Sequence, residues 1–234
     1  MNIKEQEELN KKLIKYSKEG NLELVQHSIE QGADIHVWNN YPIRIAAESG
    51  HLETVKYLVE QGADIHHENN YSLRYASSKG YLEIVKYLVE NDADIHADNN
   101  YALIWAAEGG HLEVVKYLIE KGANIHANDN YALIYASYNG HIKTVKYLVE
   151  QGADIYAGNN ESLKVALDNN HLEIIKYFLF DEKMEIKQET KEWLTENNYK
   201  QTLELIEKRD SILKNYDDLE KLKNNELINK KIKI

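Results

Sequence analysis

Histidines, turn acids and tyrosines are the side chains of this sequence with chemistry to offer, and their spacing decides which chemistry. Eight of the ten histidines fall into two rows thirty residues apart. His51, His111, His141 and His171 each follow a glycine or asparagine, and His36, His66, His96 and His126 each follow an Asp-Ile or Asn-Ile pair. A metal site needs ligands that converge on one point, whereas residues returning at a fixed structural position lie a repeat apart. The rows therefore read as a repeated structural task, with the adjacent pair His66-His67 as the one place to look for an exception. The acids behave alike: Asp34, Asp64, Asp94, Asn124 and Asp154 recur at one turn position, where an Asx side chain can satisfy nearby backbone donors. Tyr57, Tyr87, Tyr117, Tyr147 and Tyr177 form another row and read as packing residues. No phosphate-binding glycine loop and no Gly-x-Ser-x-Gly elbow occurs, and without cysteine there are no thiolate ligands, disulfides or cysteine nucleophiles. An enzyme is not expected, nor is a cofactor or a metal.

The elements that must position these rows repeat with the same period. The clearest copy is Tyr101 to Asn130, YALIWAAEGGHLEVVKYLIEKGANIHANDN. In it Leu103, Trp105, Ala106 and Ala107 precede Gly110, and Val114, Val115, Leu118 and Ile119 follow at spacings of three and four before Gly122. That pattern predicts two short helices, each with one apolar face. Glycine recurs just past each helix end, at Gly20, Gly50, Gly80, Gly110 and Gly140 and again at Gly32, Gly62, Gly122 and Gly152, where a left-handed closing residue is needed. The connectors end in Asn39-Asn40, Asn69-Asn70, Asn99-Asn100, Asp129-Asn130 and Asn159-Asn160, which read as tight turns because asparagine tolerates positive φ.

These residues closely resemble the ankyrin repeat. The Gly-His step between helices (Gly50-His51, Gly110-His111, Gly140-His141), the valine-leucine helix and the Gly-Ala-Asp close (Gly62-Ala63-Asp64) match the family pattern. The opening departs from it: the family's Thr-Pro-Leu-His becomes Tyr41-Pro42-Ile43-Arg44 and its sisters, and the period is about three residues shorter than usual. Loss of the threonine cap should cost each helix about 1 kcal/mol unless the preceding asparagine caps instead. The thirty-residue period and tyrosine opening resemble the shortened arrays of giant DNA viruses of amoebae. The resemblance runs from Leu9 to Phe180. It implies an all-α solenoid of stacked antiparallel helix pairs over residues 1–180 (repeats 9–37, 38–67, 68–97, 98–127, 128–157 and 158–180), closed by a degenerate helical cap over 181–234.

In chain order, the first repeat lacks the double alanine, as suits an end unit with a wetted outer side. Asp92 stands where sister copies have glycine, so a positive φ there would be strained. The sixth repeat is worn, with Leu167 for alanine, Asn170 for glycine and Phe178 for leucine. Beyond it, Thr190 to Glu196 and Tyr199 to Lys208 read as a helix pair with Trp193, Leu194, Leu203 and Ile206 as its apolar side. Ile212, Leu213, Tyr216, Leu219 and Leu222 keep helical spacing, and the end after Lys223 reads as frayed.

The net charge of -11 argues against binding nucleic acid by phosphate neutralisation. The lysine row Lys56, Lys86, Lys116, Lys146 and Lys176 shares its helices with Glu53, Glu83, Glu113 and Glu173 and reads as a paired, solvated face. No segment approaches the roughly 20 apolar residues that span a bilayer, and the first residues carry no secretory signal. A soluble, monomeric protein of the cell interior, in the cytoplasm, is expected.

Shared residues build such a stack and private ones can address a partner. The resemblance implies a protein partner met on the concave side, by connector tips and by the exposed turn of each first helix. By position these are Trp38, Glu68 and Asp98 at the tips, and Glu48, Lys79, Glu108 and Tyr138 on the helices. Arg44 and Arg74 stand where sister repeats have Ile104 and Ile134, so one end of the face is expected to be cationic and its middle apolar. Trp38 and Tyr138 lead the set, because large exposed aromatics are enriched in hot spots. The function expected is a non-enzymatic protein-binding scaffold. The alternative is an adaptor whose residues 181–234 recruit other machinery, such as a ubiquitin ligase, to a target held by the repeats.

Overall fold

Each unit folds because two apolar stripes meet across a left-handed glycine. In a computed structural model describing residues 2–182 and 184–214, the central unit buries Leu103, Ala106 and Ala107 from its first helix completely, together with Val115 and Leu118 from its second. A fully buried leucine contributes about 1.5–3 kcal/mol of transfer free energy, and the same positions recur in each sister unit.

The helices follow in order: α1 (Ile3–Glu19), α2 (Leu22–Glu30), α3 (Val37–Glu48), α4 (Leu52–Glu60), α5 (His67–Ser78), α6 (Leu82–Glu90), α7 (Ala97–Glu108), α8 (Leu112–Glu120), α9 (Ala127–Tyr138), α10 (Ile142–Glu150), α11 (Ala157–Asp168) and α12 (Leu172–Lys176). Each first helix packs on the first helices before and after it, from α1 through α11, and the second helices α2, α4, α6, α8 and α10 form a parallel row. Ala46, Ala76, Ala106, Ala136 and Ala166 are fully buried and keep the first helices thin enough for that approach. No strand occurs among the described residues, and no helix among them is long and apolar enough to cross a membrane.

Helix ends close as the glycine rows predict. Gly122 takes φ 99°, its N–H reaches the Ile119 carbonyl, and the Ala123 N–H reaches the Leu118 carbonyl. That is the paired-bond closure in which the residue past the cap must be left-handed. Asp92 has φ 69° at the equivalent place, so its side chain carries the expected conformational cost.

The entry to each first helix was only half legible. The asparagine pairs do take positive φ, but so does the residue before them, giving three consecutive left-handed residues: Trp38-Asn39-Asn40 at 47°, 61° and 56°, and Asp98-Asn99-Asn100 at 53°, 55° and 63°. The right-handed helix proper starts at the tyrosine that follows. The second asparagine does not take over the lost threonine's place as a cap. Its Oδ1 instead accepts from a backbone N–H 24 residues on: Asp64 to Asn40 at 3.0 Å, Asp94 to Asn70 at 2.9 Å, Asn124 to Asn100 at 2.8 Å and Asp154 to Asn130 at 2.8 Å. Asn10 in α1 does the same for Asp34 at 2.8 Å.

The chain forms two compact units, Met1–Ile175 and Lys176–Ile234. In the second, a single π turn (Tyr177–Asp181) precedes α13 (Gln188–Glu196), and a further helix runs over 200–214. Between them Asn198 is left-handed at φ 64°. Of the apolar side read from the sequence, Leu194 and Ile206 are fully buried and Trp193 and Leu203 partly so, with Trp193 stacked on Tyr199 at 5.5 Å. The continuation through Tyr216, Leu219 and Leu222, and the end after Lys223, lie outside the described residues.

Asp92→Gly is expected to stabilise the array by up to about 1 kcal/mol by removing the left-handed penalty; a urea midpoint that falls on substitution would contradict it.

Candidate binding face

One histidine row holds each repeat to the one before it, and the other histidine row and the acids bond within their own connector. His51 Nε2 lies 2.8 Å from the Lys18 carbonyl, His111 Nε2 2.9 Å from Ser78 O, His141 Nε2 2.9 Å from Glu108 O and His171 Nε2 2.8 Å from Tyr138 O. A carbonyl only accepts, so each ring carries its proton on Nε2. A Cβ on Gly110 would lie 2.5 Å from His141 Nδ1, and one on Gly80 2.5 Å from His111 Nδ1, so these glycines are required for ring clearance as well as for φ. The other row faces the opposite way: His36, His96 and His126 place Nδ1 at 2.8–3.1 Å from Oδ1 of Asn40, Asn100 and Asn130. Asp34, Asp64, Asp94, Asn124 and Asp154 each accept from the N–H two residues on. His67 Nε2 meets Glu68 at 3.7 Å, and no three His, Asp or Glu side chains among the described residues are grouped to hold a metal ion.

The second-helix rows also pair among themselves. Lys56, Lys86 and Lys116 reach Glu53, Glu83 and Glu113 at 2.8–2.9 Å, and those hydrogen bonds hold their pKa above the ordinary lysine value. Tyr87, Tyr117 and Tyr147 titrate above the usual phenol, first through burial and then through Glu60, Glu90 and Glu120 of the preceding repeat. They are packing residues between second helices.

The residues expected to meet a partner lie on the first helices and their left-handed turns. Trp38 is 64% exposed, at a φ of 47°. A bulky side chain is seldom found left-handed, and the sister positions carry Glu68, Asp98, Asn128 and Gly158. Tyr138 is 49% exposed. Lys79, Glu68, Asp98 and Glu108 are exposed and Glu48 is half-buried. Trp38 and Tyr138 stand three repeats apart, so the structure does not gather the expected residues into one cluster.

Two of them are corrected. Arg44 and Arg74 do not make a cationic end, because each guanidinium is held inside the face with only 13% and 12% of its side chain exposed. Arg44 pairs with Glu68 at 3.1 Å and lies 4.0 Å from the Tyr71 ring centre. Arg74 pairs with Asp98 at 2.8 Å and lies 5.3 Å from the Trp105 ring. The partners come from the following repeat, which neutralises the charge there. Rings continue the seam: Tyr71 stacks on Tyr75 at 3.9 Å, Tyr75 meets Trp105 edge-on at 5.2 Å, and Tyr101 meets Trp105 at 5.7 Å. Burial, then a hydrogen bond with Tyr75, pushes the Tyr71 phenol up to about 12, against the pull of Arg44.

The sequence reading missed the part of the face that opens. Between α9 and α11 a groove of about 420 Å³ is lined by Tyr131, Ile134, Tyr135, Tyr138 and Val165, with Asp129 and Glu161 also on its walls. Tyr131 and Tyr135 are 39% and 37% exposed. The signal was present: Tyr41, Tyr71, Tyr101 and Tyr131 form a row that Glu161 breaks, and Tyr75, Trp105 and Tyr135 form one that Val165 breaks. Where both rows end, the last rings meet no following aromatic.

Comparison with known families identifies this pattern of stacked helix pairs. A family model described as ankyrin repeats (3 copies) matches residues 13–99 and 103–191. The chain belongs to the ankyrin-repeat family. No curated protein matches it. Ankyrin repeats generally mediate protein–protein interaction.

Tyr71 gives this face a pH signature. An unfolded tyrosine titrates near 10 and Tyr71 near 12, so its contribution to stability is fully present below pH 10 and is lost as pH rises from about 10 to 12. Absorbance titration of Tyr71→Phe should lack one phenol of the latest-titrating class; an unchanged late class would show that Tyr71 is not held in this way.

Proposed function

We propose that this ankyrin-repeat protein is a non-enzymatic scaffold that binds a partner protein through the first-helix face, acting as a monomer. One observation carries the reading. The repeated polar and charged rows are bonded, the Gly-His rings and connector asparagines across repeats and the turn acids and lysines within their own, whereas Trp38, Tyr131, Tyr135 and Tyr138 on the first helices and their turns are left exposed. Aromatic anchors of this kind supply most of the energy in protein interfaces. The acidic balance disfavours nucleic acid as the partner. The resemblance to arrays of giant DNA viruses of amoebae, carried by the thirty-residue period and the tyrosine opening, would make that partner a host protein met in the host cytoplasm.

The adaptor reading has one observation of its own. In the second unit Phe180, Leu205 and Ile212 are exposed and line a groove of about 370 Å³ with Arg209 and Leu213. Affinity purification of the full chain from its native cell, beside Tyr138→Ala and Ile212→Glu variants, separates the two. A scaffold loses its partner only with the first substitution, and an adaptor loses a second set of proteins with the other.

Trp38→Gly and Tyr138→Ala should each weaken the partner by more than about 1 kcal/mol. Trp38→Gly should at the same time raise the thermal midpoint, since Gly158 occupies the sister position at φ 58°. Leu118→Ala should behave oppositely, costing about 2–5 kcal/mol of stability with binding lost only on melting. A Trp38→Gly protein that melts earlier would remove Trp38 from the binding face.

A further inference from the structure

The chain builds the same small site twice and fills it with its own side chain. Arg44 lies between the Tyr41 and Tyr71 rings, 5.6 and 4.0 Å from their centres, with the Glu68 carboxylate at 3.1 Å. One repeat on, Arg74 lies 5.9 and 5.3 Å from the Tyr71 and Trp105 rings, with the Asp98 carboxylate at 2.8 Å. Each is a guanidinium between two aromatic rings of successive repeats with one carboxylate beside it. Rings attract a cation through their negative faces, and a planar guanidinium can stack while its N–H fork serves the carboxylate.

In the next two repeats the register position that supplies the guanidinium is taken by Ile104 and Ile134. Of the other ingredients the Tyr131 ring stays in register, Gly158 stands where Glu68 and Asp98 supplied the carboxylate, and rings and carboxylates come instead from neighbouring positions. Tyr131, Tyr135 and Tyr138 present rings in the α9–α11 groove, and Asp129 and Glu161 supply carboxylates on its walls. Glu161 stands where four sister repeats carry tyrosine, so the groove exchanges a closing ring for a negative charge. Residues 1–180 hold almost the whole net charge, because 181–234 contains 13 acidic and 12 basic residues against -11 for the chain. A basic segment is therefore favoured at this surface on approach as well as in contact.

We propose that the groove between α9 and α11 receives an arginine side chain from an extended basic segment of the partner protein. The arginine enters beside Ile134, which stands at the register of Arg44 and Arg74, and stacks among Tyr131, Tyr135 and Tyr138 with its fork on Asp129 or Glu161. This rests on the scaffold reading above and names the chemistry of its partner.

The test uses the full chain and three capped heptapeptides of glycine and serine whose central residue is arginine, lysine or citrulline. Tyrosine ring resonances are followed by NMR during titration. The arginine peptide should shift the rings of Tyr131, Tyr135 and Tyr138 and bind about tenfold tighter than the citrulline peptide, with lysine between them. Ile134→Arg removes no ring and no carboxylate and supplies a guanidinium from the chain itself. It should abolish peptide binding while leaving the thermal midpoint in place, and Tyr135→Ser should weaken binding about tenfold. Citrulline or lysine binding as tightly as arginine overturns the proposal, as does an Ile134→Arg protein that binds like the unaltered chain. The scaffold reading fails separately. If a native-cell partner is lost on Tyr138→Ala but no arginine peptide binds, the groove is a protein site of other chemistry. If the partner is kept by both Tyr138→Ala and Tyr135→Ser, the face itself is wrong.

Discussion

The structure depends on one partly buried hydrogen bond repeated along the array, from the backbone N–H of the Asp or Asn that ends each Gly-Ala-Asp close to the asparagine side chain that ends the preceding connector. Asn40, Asn70, Asn100 and Asn130 are buried, and an unpaired amide at such a depth costs about 1–3 kcal/mol. Each bond ties residues 24 apart, so it fixes how far one repeat sits from the next. The same oxygens of Asn40, Asn100 and Asn130 also take the His36, His96 and His126 rings. Asparagine suits the place twice over, since it bears the left-handed φ that the short connector imposes and offers the acceptor. The shortened period and the asparagine row are one device.

A second ladder works at the other end of the first helices. There the histidine after each inter-helix turn reaches a carbonyl 33 residues back and its ring covers the turn glycine of the preceding repeat. Tyr81 shows what the ladder tolerates. It replaces histidine, and its ring lies where a Cβ on Gly50 would be, at 2.7 Å. Packing and glycine clearance survive that exchange. With polar ladders at both ends and alanine-thin helices between, the face of the first helices is free to vary.

Much of this was legible. The period, the two glycine rows, the Asx turns and the structural use of histidine all follow from residue types at fixed spacing, because local backbone conformation is what they encode. The rest was illegible for a common physical reason: it depends on the neighbour. Arg44 reads as an exposed cation until Glu68 and Tyr71 of the next repeat are placed around it. Tyr131 reads as one more repeat opening until Glu161 and Val165 of the next repeat leave it and Tyr135 uncovered. Likewise Asn100 reads as a helix cap until Asn124 arrives across the interface. A repeat's own sequence gives its shape, whereas the charge and exposure of its face are properties of a pair.

The most direct measurement compares Asn100→Gly with the unaltered chain by urea unfolding and by hydrogen exchange at the Asn124 amide. Glycine keeps the left-handed turn at no steric cost and removes only the side-chain acceptor. If the asparagine ladder sets the spacing of repeats, the variant loses about 1–3 kcal/mol and the Asn124 amide loses its protection. A variant as stable as the unaltered chain, with that amide still protected, would show that asparagine is present for its backbone tolerance alone and that the bond is incidental.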